Sequence, residues 1–238
     1  MNADKKIAVI IINWKKNDFT LKCIDSVLKS SYKNFKIILI DNESQNNFPD
    51  EINKSEKIQI IKNENNEGFS KANNQGIKYS IKNGFDYVLL LNNDTLIKND
   101  LIDSLIQQSS NLNQKIIQPL ILNYDGTKIW NAGGKINNFF GTFETLKKGK
   151  SFKNFKSDKN LTEWFTGCCV LIKLEIFNHV GYFDERFFAY YEDVDYSIRL
   201  KKMGYSIALL TNSYLKHYES ASSKSINKSE GNLSPHVH

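Results

Sequence analysis

Arginine is the scarcest of the charged residues in this 238-residue chain. Arg186 and Arg199 are the only arginines among 32 basic residues, so lysine carries almost all of the net charge of +6. Proteins that read DNA or RNA depend on arginine for bidentate contacts to bases and phosphates. We therefore expect no nucleic-acid partner, whereas a lysine-rich surface is compatible with anionic small molecules or an anionic membrane.

Cysteine and long apolar runs are also scarce. The cysteines Cys23, Cys168 and Cys169 fit neither a disulfide framework nor a zinc site by number or spacing, which indicates a reducing compartment. Residues 1–6 are polar and lead straight into an apolar strand without a secretory signal, and no run approaches the roughly 18 apolar residues of a membrane span. We expect a cytoplasmic protein that touches the inner face of a membrane no more than peripherally.

Two phosphate-binding motifs are missing. No G-x-G-x-x-G follows the first apolar run, and no G-x-x-x-x-G-K-[ST] loop occurs, which excludes the usual dinucleotide-binding Rossmann domain and the P-loop. If the protein binds phosphate groups, it must hold them in another way. A divalent cation on a carboxylate at a strand end would do this, because magnesium-type cations take substrate oxygens as ligands.

Apolar strand patterns alternate with helical patterns in the first half of the chain. Helix patterns begin near Asp18, Phe69 and Asp100, and Gly84 is placed to end the second of them. Strands alternating with helices predict a parallel βαβ sheet within one α/β domain. The predicted strands cover residues 7–12, 35–40, 58–61 and 88–91.

Polar residues follow each of these strands. The carboxyl ends of parallel strands lie at one edge of the sheet, so Asn13, Asp41, the Asn65/Asn66 loop and Asp94 should converge on one crevice. Asn and Asp also favour ordinary turns and helix caps. Four separate strand ends with amides or carboxylates favour a binding site over four unrelated turns.

An apolar segment over 116–130 is followed by Ala132–Gly134, where the periodicity fades, and in this part of the chain we expect the sheet to turn from parallel to mixed. Thr162–Ile172 has a strand pattern in which Gly167 suggests close approach of the backbone, and Cys169 is interpreted as core packing. The lysine-rich residues 147–159, with Phe152 and Phe155, are either a solvated loop, which we favour, or a contact for lipid phosphates or a membrane.

An acidic cluster precedes the last helical pattern. Glu192, Asp193 and Asp195 exceed what capping of a helix requires, although acids are favoured at helix starts. Asp195 and Arg199 are four residues apart and should pair. His217, which follows a short strand predicted over 207–210, is either structural or a ligand, and the polar tail 221–238 is expected to be disordered.

Four segments together resemble family 2 glycosyltransferases with the GT-A fold, particularly their rhamnosyltransferase-like bacterial branch. They are Ile11–Trp14, Asp41–Ser44, Asn66–Gly76 and Leu91–Thr95. The resemblance covers roughly residues 5–220. It implies one α/β, Rossmann-like domain over 1–220 with a mostly parallel sheet that becomes mixed. Residues 1–115 would form the nucleotide-sugar-binding half, and 116–220 the acceptor-binding and catalytic half.

The resemblance also implies roles for individual residues in the first half. Asp94 and His217 would hold a divalent metal, Mn²⁺ or Mg²⁺. The chain has Asn92 where the family's Asp-x-Asp motif has its first Asp, so Asp94 is the sole carboxylate of that motif. The predicted donor-binding residues are Asn13, Asp41, Asn66, Asn74, Asn92, Asn93 and Asp94.

In the second half, the resemblance assigns the catalytic base to Asp193, with Glu192 supporting it or binding the acceptor. Trp164 and Gly167 would lie beside the sugars, although a packing role for Trp164 is equally open. The implied reaction is inverting transfer of a hexosyl or deoxyhexosyl group from a UDP- or dTDP-sugar. The acceptor would be a saccharide or lipid-linked saccharide in cell-surface polysaccharide or glycan synthesis.

Two other functions are open at this stage. A sugar-phosphate nucleotidyltransferase also uses a nucleotide-binding α/β sheet, but that family has a glycine-rich loop after the first strand, and Asn13–Lys16 contains no glycine. The other is a nucleotide-sugar-binding module that keeps the fold but does not catalyse a reaction. Asn92, in place of the first carboxylate of the motif, makes it plausible.

Overall fold

The computed structural model describes residues 5–43, 48–137, 139–140, 142–153, 155 and 160–218. The predicted disordered tail 221–238 lies outside these residues, as do Ser44 and part of the lysine-rich segment 147–159.

The first half is a run of alternating strands and helices, as predicted. Strands β1, β2 and β4 are apolar and buried on both faces, which is typical of a parallel sheet covered by helices. They pair in parallel, and β3 adds to β2 at the edge. The elements are β1 Ile7–Asn13, α1 Asn17–Leu28, β2 Phe35–Asn42, α2 Asp50–Asn53, β3 Ile58–Asn63, α3 Gly68–Lys82, β4 Tyr87–Asn92, β5 Thr95–Ile97 and α4 Leu101–Leu112.

The second half makes the sheet mixed. Strand β11 pairs antiparallel with both β4 and β6, while β12 runs parallel to β6. The order along the described sheet is β10-β12-β6-β11-β4-β1-β2-β3, with β5 on β12 and β7 on β6. The elements are β6 Ile116–Asn123, β7 Ile129–Asn131, β8 Gly134–Asn137, β9 Thr142–Thr145, β10 Leu161–Thr162, β11 Cys169–Lys173, α5 Glu175–Val180, α6 Glu192–Lys202 and β12 Ile207–His217.

Three local predictions were wrong. The pattern over Thr162–Ile172 is two strands, β10 and β11, because a loop that includes Gly167 separates them. The last strand, predicted over 207–210, continues to His217 through an irregularity between Leu210 and Tyr214. Asp18, which the sequence also suggests as the cap of α1, lies in the first turn of that helix, because Lys16 occupies the N-cap position and its side chain makes no capping hydrogen bond.

Two apolar cores cover the two faces of the sheet. Alternate residues of β1, β2 and β4 face α1 and α4, and the intervening residues face α3, α5 and α6. Cys169 is fully buried in the first core, as its predicted packing role requires, and the three cysteines are free. A smaller core lies beside β6 and β12, and Phe152 and Phe155 pack against it, partly buried.

In the part of the chain that the structure describes, no helix combines the length and the apolar character that crossing a membrane would need.

Gly76 sets the distance between α3 and β1. A Cβ placed there would lie 2.9 Å from two carbon atoms of the buried Ile10 side chain. We expect Gly76→Leu to lower the free energy of unfolding by about 1–3 kcal/mol, because overpacking moves the helix away from the strand. Urea unfolding should show this, with Lys82→Leu on the exposed face of α3 as control. Equal stability of the two variants would contradict this account of the contact.

Candidate active site

A cavity of ≈ 660 Å³ opens at the carboxyl ends of the central strands. Its walls come from both halves of the chain: strand ends from the first, and the loop 166–168, the segment 188–193 and the end of β12 from the second. The lining residues are Ile12, Trp14, Asn42, Asn66, Gly68, Phe69, Asn73, Leu91, Asn92, Asn93, Asp94, Trp130, Thr166, Gly167, Cys168, Phe188, Ala189, Tyr190, Glu192, Asp193 and His217.

Asp94 and His217 meet on one side of this cavity. The end of β12 pairs with β5, which places His217 opposite Thr95, and the Tyr218 N–H donates to the Asp94 carbonyl at 2.8 Å. As a result His217 Nε2 lies 3.2 Å from Asp94 Oδ1, with both side chains 7% exposed. Burial disfavours the imidazolium, but neighbouring Cys168 and Asp94 favour it more and raise the pKa of His217 to about 10.

This pair has the chemistry of a partial metal site. Asp94 Oδ1 and His217 Nδ1 have no hydrogen-bond partner among the described residues. Nor do three His, Cys, Asp or Glu side chains of the described chain gather into a metal cluster. A carboxylate and an imidazole fit a divalent cation that takes its other ligands from water and from substrate oxygens.

The predicted donor-binding residues divide between the two faces of the sheet. Asn92, Asn93 and Asp94 line the cavity, as does Asn42. Side chains alternate along a strand, so Asp41 points to the α1 side, where Asn13 Nδ2 donates to its Oδ1 at 3.3 Å. Asn13 and Asp41 are therefore adjacent, as predicted, but lie behind the cavity lining.

A chain of hydrogen bonds joins Asn93, which lines the cavity, to the buried Asn13. Thr20 Oγ1 donates to Asn13 Oδ1 at 2.6 Å and accepts from Asn93 Nδ2 at 2.9 Å. The tip of β4 is thus held to the tip of β1 by side chains as well as by the sheet.

Asn66 lies in the cavity, but Asn74 does not. Asn66 Oδ1 accepts from Asn42 Nδ2 at 2.6 Å, which fixes the loop before α3. The Asn74 amide is fully used elsewhere: Nδ2 donates to the Phe183 carbonyl and to Glu185, and Oδ1 accepts from the Phe183 N–H. Asn74 therefore ties α3 to the segment before α6, and its neighbour Asn73 faces the cavity.

The acidic residues Glu192 and Asp193 begin α6, as predicted. Asp193 Oδ2 accepts from the Gly167 N–H at 2.9 Å, and its Oδ1 accepts from the Val194 N–H at 2.8 Å. Burial raises the pKa of Asp193, while these two N–H groups favour its carboxylate. The predicted pair of Asp195 and Arg199 forms on the same helix at 2.9 Å.

Glu192 is the more deeply enclosed of the two acids. It is 5% exposed, and its Oε2 has no hydrogen-bond partner among the described residues. Burial and the adjacent Asp193 carboxylate raise the pKa of Glu192 to about 8. Asp193 accepts two N–H groups whereas Glu192 Oε2 accepts none, so the negative charge of the pair is better stabilised on Asp193, and burial favours the protonated form of Glu192.

The loop that carries Gly167 is fixed by a buried amide that the sequence did not reveal. Gln118 in β6 accepts from the Thr166 N–H at 2.8 Å and donates to Asn131 Oδ1 at 2.7 Å. Asn131 Oδ1 also accepts from the Gly133 N–H. The only sequence signal was a glutamine inside an otherwise apolar strand.

Trp164, predicted to stack on a sugar, lies outside the cavity lining. Its indole packs on Gly134, where no Cβ could be accommodated, and its Nε1 donates to the Glu144 carbonyl at 3.3 Å. Phe143 contacts it edge-on. The structure thus gives Trp164 the packing role that was left open, at the base of the hairpin β8–β9.

The fold and this site can be compared with known proteins. The family model for glycosyl transferase family 2 matches residues 8–181. A dTDP-rhamnosyl transferase, RfbF of Shigella flexneri, is 24% identical over 90% of this chain and 69% of its own. The low-salt glycan biosynthesis hexosyltransferase Agl10 of Haloferax volcanii is 28% identical over 84% of this chain and 63% of its own.

The chain belongs to glycosyl transferase family 2. A crystal structure of GalNAc-T7 with UDP, GalNAc and Mn²⁺ superposes with a TM-score of 0.69 at 17% identity, over 90% of this chain and 44% of the other. That likeness confirms the predicted GT-A fold. The chain thus spans less than two thirds of Agl10 and less than half of the GalNAc-T7 chain.

The raised pKa of Glu192 predicts a pH dependence of stability. Between its ordinary value of 4.5 and about 8, the folded protein holds a proton that the unfolded chain releases. The free energy of unfolding should therefore fall as pH rises through this window, by up to about 1.4 kcal/mol per pH unit. Glu192→Gln removes the titrating group, so the variant should gain stability over wild type from pH 5 to pH 8.

Urea unfolding at pH 5, 6.5 and 8 measures this difference. Glu144→Gln, an exposed change in β9, is the control and should follow wild type. Parallel curves for wild type and Glu192→Gln would show that Glu192 titrates at its ordinary pKa.

Proposed function

We propose that the protein is an inverting glycosyltransferase that moves a sugar from a nucleoside diphosphate donor to a hydroxyl of a saccharide acceptor. One observation carries the proposal. The Asp94–His217 pair and the Glu192–Asp193 pair, from opposite halves of the chain, line the same cavity. The Asp94–His217 pair suits a diphosphate with its cation, and the Glu192–Asp193 pair suits removal of a proton.

The donor would occupy the side of the cavity formed by the strand tips. The amides of Asn42, Asn66, Asn73 and Asn92 line it and can donate to ribose and phosphate oxygens. We keep Asp41, buried behind them with Asn13, as the predicted contact to the base. UDP and dTDP are the proposed nucleotides, since the compared proteins include a dTDP-rhamnosyl transferase and a structure with UDP.

Asp94 and His217 would hold the divalent cation, Mn²⁺ or Mg²⁺. Bound there, such an ion supplies Lewis-acid stabilisation of the charge that develops on the diphosphate. Asp94 gives the anionic ligand, and His217 must lose its proton to coordinate. The GalNAc-T7 structure with UDP and Mn²⁺ supports this arrangement for the fold.

Asp193 would act as the general base. Its carboxylate is held in place by the Gly167 and Val194 N–H groups, while Glu192 keeps its proton near neutral pH. Asp193 takes the proton of the acceptor hydroxyl, and that oxygen attacks the anomeric carbon on the face opposite the diphosphate. The bond from carbon to the diphosphate oxygen breaks, which inverts the anomeric centre, and Asp193 then releases the proton to water.

The names of the relatives support a class of transferred sugar. They include a rhamnosyl transferase and a hexosyltransferase of glycan biosynthesis, and we propose a deoxyhexose or a hexose as the transferred group. We place the reaction in the cytoplasm, in the synthesis of cell-surface polysaccharide or glycan, with a saccharide or lipid-linked saccharide as acceptor.

Nucleotide binding should be detectable by thermal shift. At 100 times its dissociation constant, a ligand of the folded state adds about 2.7 kcal/mol to stability. We expect UDP or dTDP with Mn²⁺ to raise the melting temperature more than GDP or CMP does. Asp94→Asn should lose the part of the shift that depends on Mn²⁺, whereas Asp25→Asn on the exposed side of α1 should keep it.

If none of these nucleotides shifts the melting temperature with or without Mn²⁺, the donor site is assigned wrongly. Release of pyrophosphate from a nucleoside triphosphate and a sugar phosphate would instead identify a nucleotidyltransferase.

Removal of the proposed base should slow transfer without weakening donor binding. General-base catalysis contributes typically about 10²–10⁴-fold, so we expect Asp193→Asn to lose roughly that much turnover and to keep the nucleotide-induced thermal shift. Turnover is measured as nucleoside diphosphate released from the donor that the screen identifies. Asp195→Asn, whose carboxylate pairs with Arg199, is the control in the same helix. Full activity of Asp193→Asn, or equal loss in both variants, would remove Asp193 from this role.

A further inference from the structure

Two aromatic side chains at the mouth of the cavity are open to solvent. Phe188 is 57% exposed and Tyr190 is 64% exposed, and both line the cavity. Exposed apolar side chains are ordinary when they are scattered, but apolar groups gathered in a cavity mark a binding site. Neither the family match nor the predicted site residues give these two rings a role.

Phe188 is held firmly although it is exposed. Its carbonyl accepts from the Phe69 N–H at 2.6 Å, at the start of α3. Gly68 has a φ of +78°, and a Cβ there would lie 2.6 Å from the Phe188 carbonyl oxygen and 2.8 Å from its ring. Part of the ring therefore packs on the bare backbone of Gly68, and the rest is free to meet a ligand.

Tyr190 is placed by an unusual backbone. Tyr190 and Tyr191 have φ values of 71° and 70°, in the left-handed region that side chains other than glycine rarely adopt. Residues held in such conformations cluster at ligand-binding and active sites, because the surrounding structure must enforce them. Here the Tyr191 ring packs edge-on against Phe143 of β9 at 5.4 Å, which anchors the turn.

The turn that places Tyr190 leads directly into the acids. Tyr190 comes two residues before Glu192, the first residue of α6, and Glu192 lines the same cavity as both rings. Glu192 Oε2, on a side chain 5% exposed, is left without a protein partner in the described structure. Two exposed aromatic rings and a hydrogen-bonding oxygen without a partner in the described structure thus line the same cavity.

That combination matches one ligand chemistry. A sugar ring has apolar C–H faces that pack on aromatic rings, and hydroxyl groups at its edge that need hydrogen-bond partners. We propose that Phe188 and Tyr190 form an aromatic platform on which a sugar ring of the acceptor stacks, with its hydroxyl edge toward Glu192 and Asp193. This inference rests on the proposed function, and it replaces Trp164 by these two residues as the stacking surface.

Saturation-transfer difference NMR on the full chain tests the platform directly. The probes are a panel of methyl glycosides of common hexoses and deoxyhexoses, with UDP or dTDP and Mn²⁺ present, and geranyl phosphate as a lipid probe. We expect at least one glycoside to receive saturation at its ring C–H protons. Phe188→Ala and Tyr190→Ala should each weaken that binding about fivefold or more, from an aromatic contact of about 1 kcal/mol, and Tyr190→Phe should retain it.

The control variant is Phe139→Ala with Phe140→Ala, which removes two exposed rings outside the cavity lining and should bind the glycoside like wild type. Nucleotide signals report the donor site separately and should persist in all variants, which also shows that each is folded. The platform is refuted if wild type saturates no glycoside, if the Ala variants bind it normally, or if only geranyl phosphate responds. If wild type binds neither UDP nor dTDP, the proposed function is refuted instead.

Discussion

The pairing of β11 with β4 is the contact on which the rest of the site depends. It is antiparallel, places Cys169 opposite Leu91, and lets the Asn92 N–H donate to the Cys168 carbonyl at 2.9 Å. Through it, the loop 166–168 from the second half lies against the strand tip from the first. Gly167 in that loop is also the backbone partner of Asp193. A shift of one residue in this register would turn every side chain of β11 to the other face of the sheet. It would also move Asp193, which is held by Gly167, away from Asp94 at the tip of β4.

The site holds its buried charges in three different ways. Asp94 has an imidazole beside it, Asp193 accepts two backbone N–H groups, and Glu192 is kept protonated by its surroundings. Burying an ionised carboxylate is unfavourable unless it is paired or hydrogen-bonded, so each arrangement lowers a penalty that the cavity imposes. Two oxygens of the site make no hydrogen bond in the described structure: Asp94 Oδ1, which has only His217 Nε2 at 3.2 Å beside it, and Glu192 Oε2. Keeping such groups buried costs stability that an apolar lining would not lose.

Much of the fold followed from local pattern, because apolar strands alternating with amphipathic helices leave few topologies, and the family resemblance was confirmed. The pattern also brought the strand ends to one edge. It could not say which face of a strand or helix meets the cavity, so Asn42 and Asn73 line it where Asp41 and Asn74 were expected. That choice depends on tertiary packing, as does the buried position of Trp164. Long-range partners such as Gln118 leave almost no local signal, although five apolar and aromatic residues directly before the acids, 187–191, were a visible clue.

The late position of strand β12 in the chain affects when the site can form during synthesis. It is the last strand in the described chain, yet it supplies His217 to Asp94 near the middle of the sequence and closes the hydrogen bond from Tyr218 to the Asp94 carbonyl. During synthesis the strand tips of the first half emerge long before this partner does. The nascent chain would therefore carry Asp94 solvated, and its pairing would wait until β12 docks between β6 and β5. The last strand of the described sheet and the Asp94–His217 pair are therefore completed in the same late step.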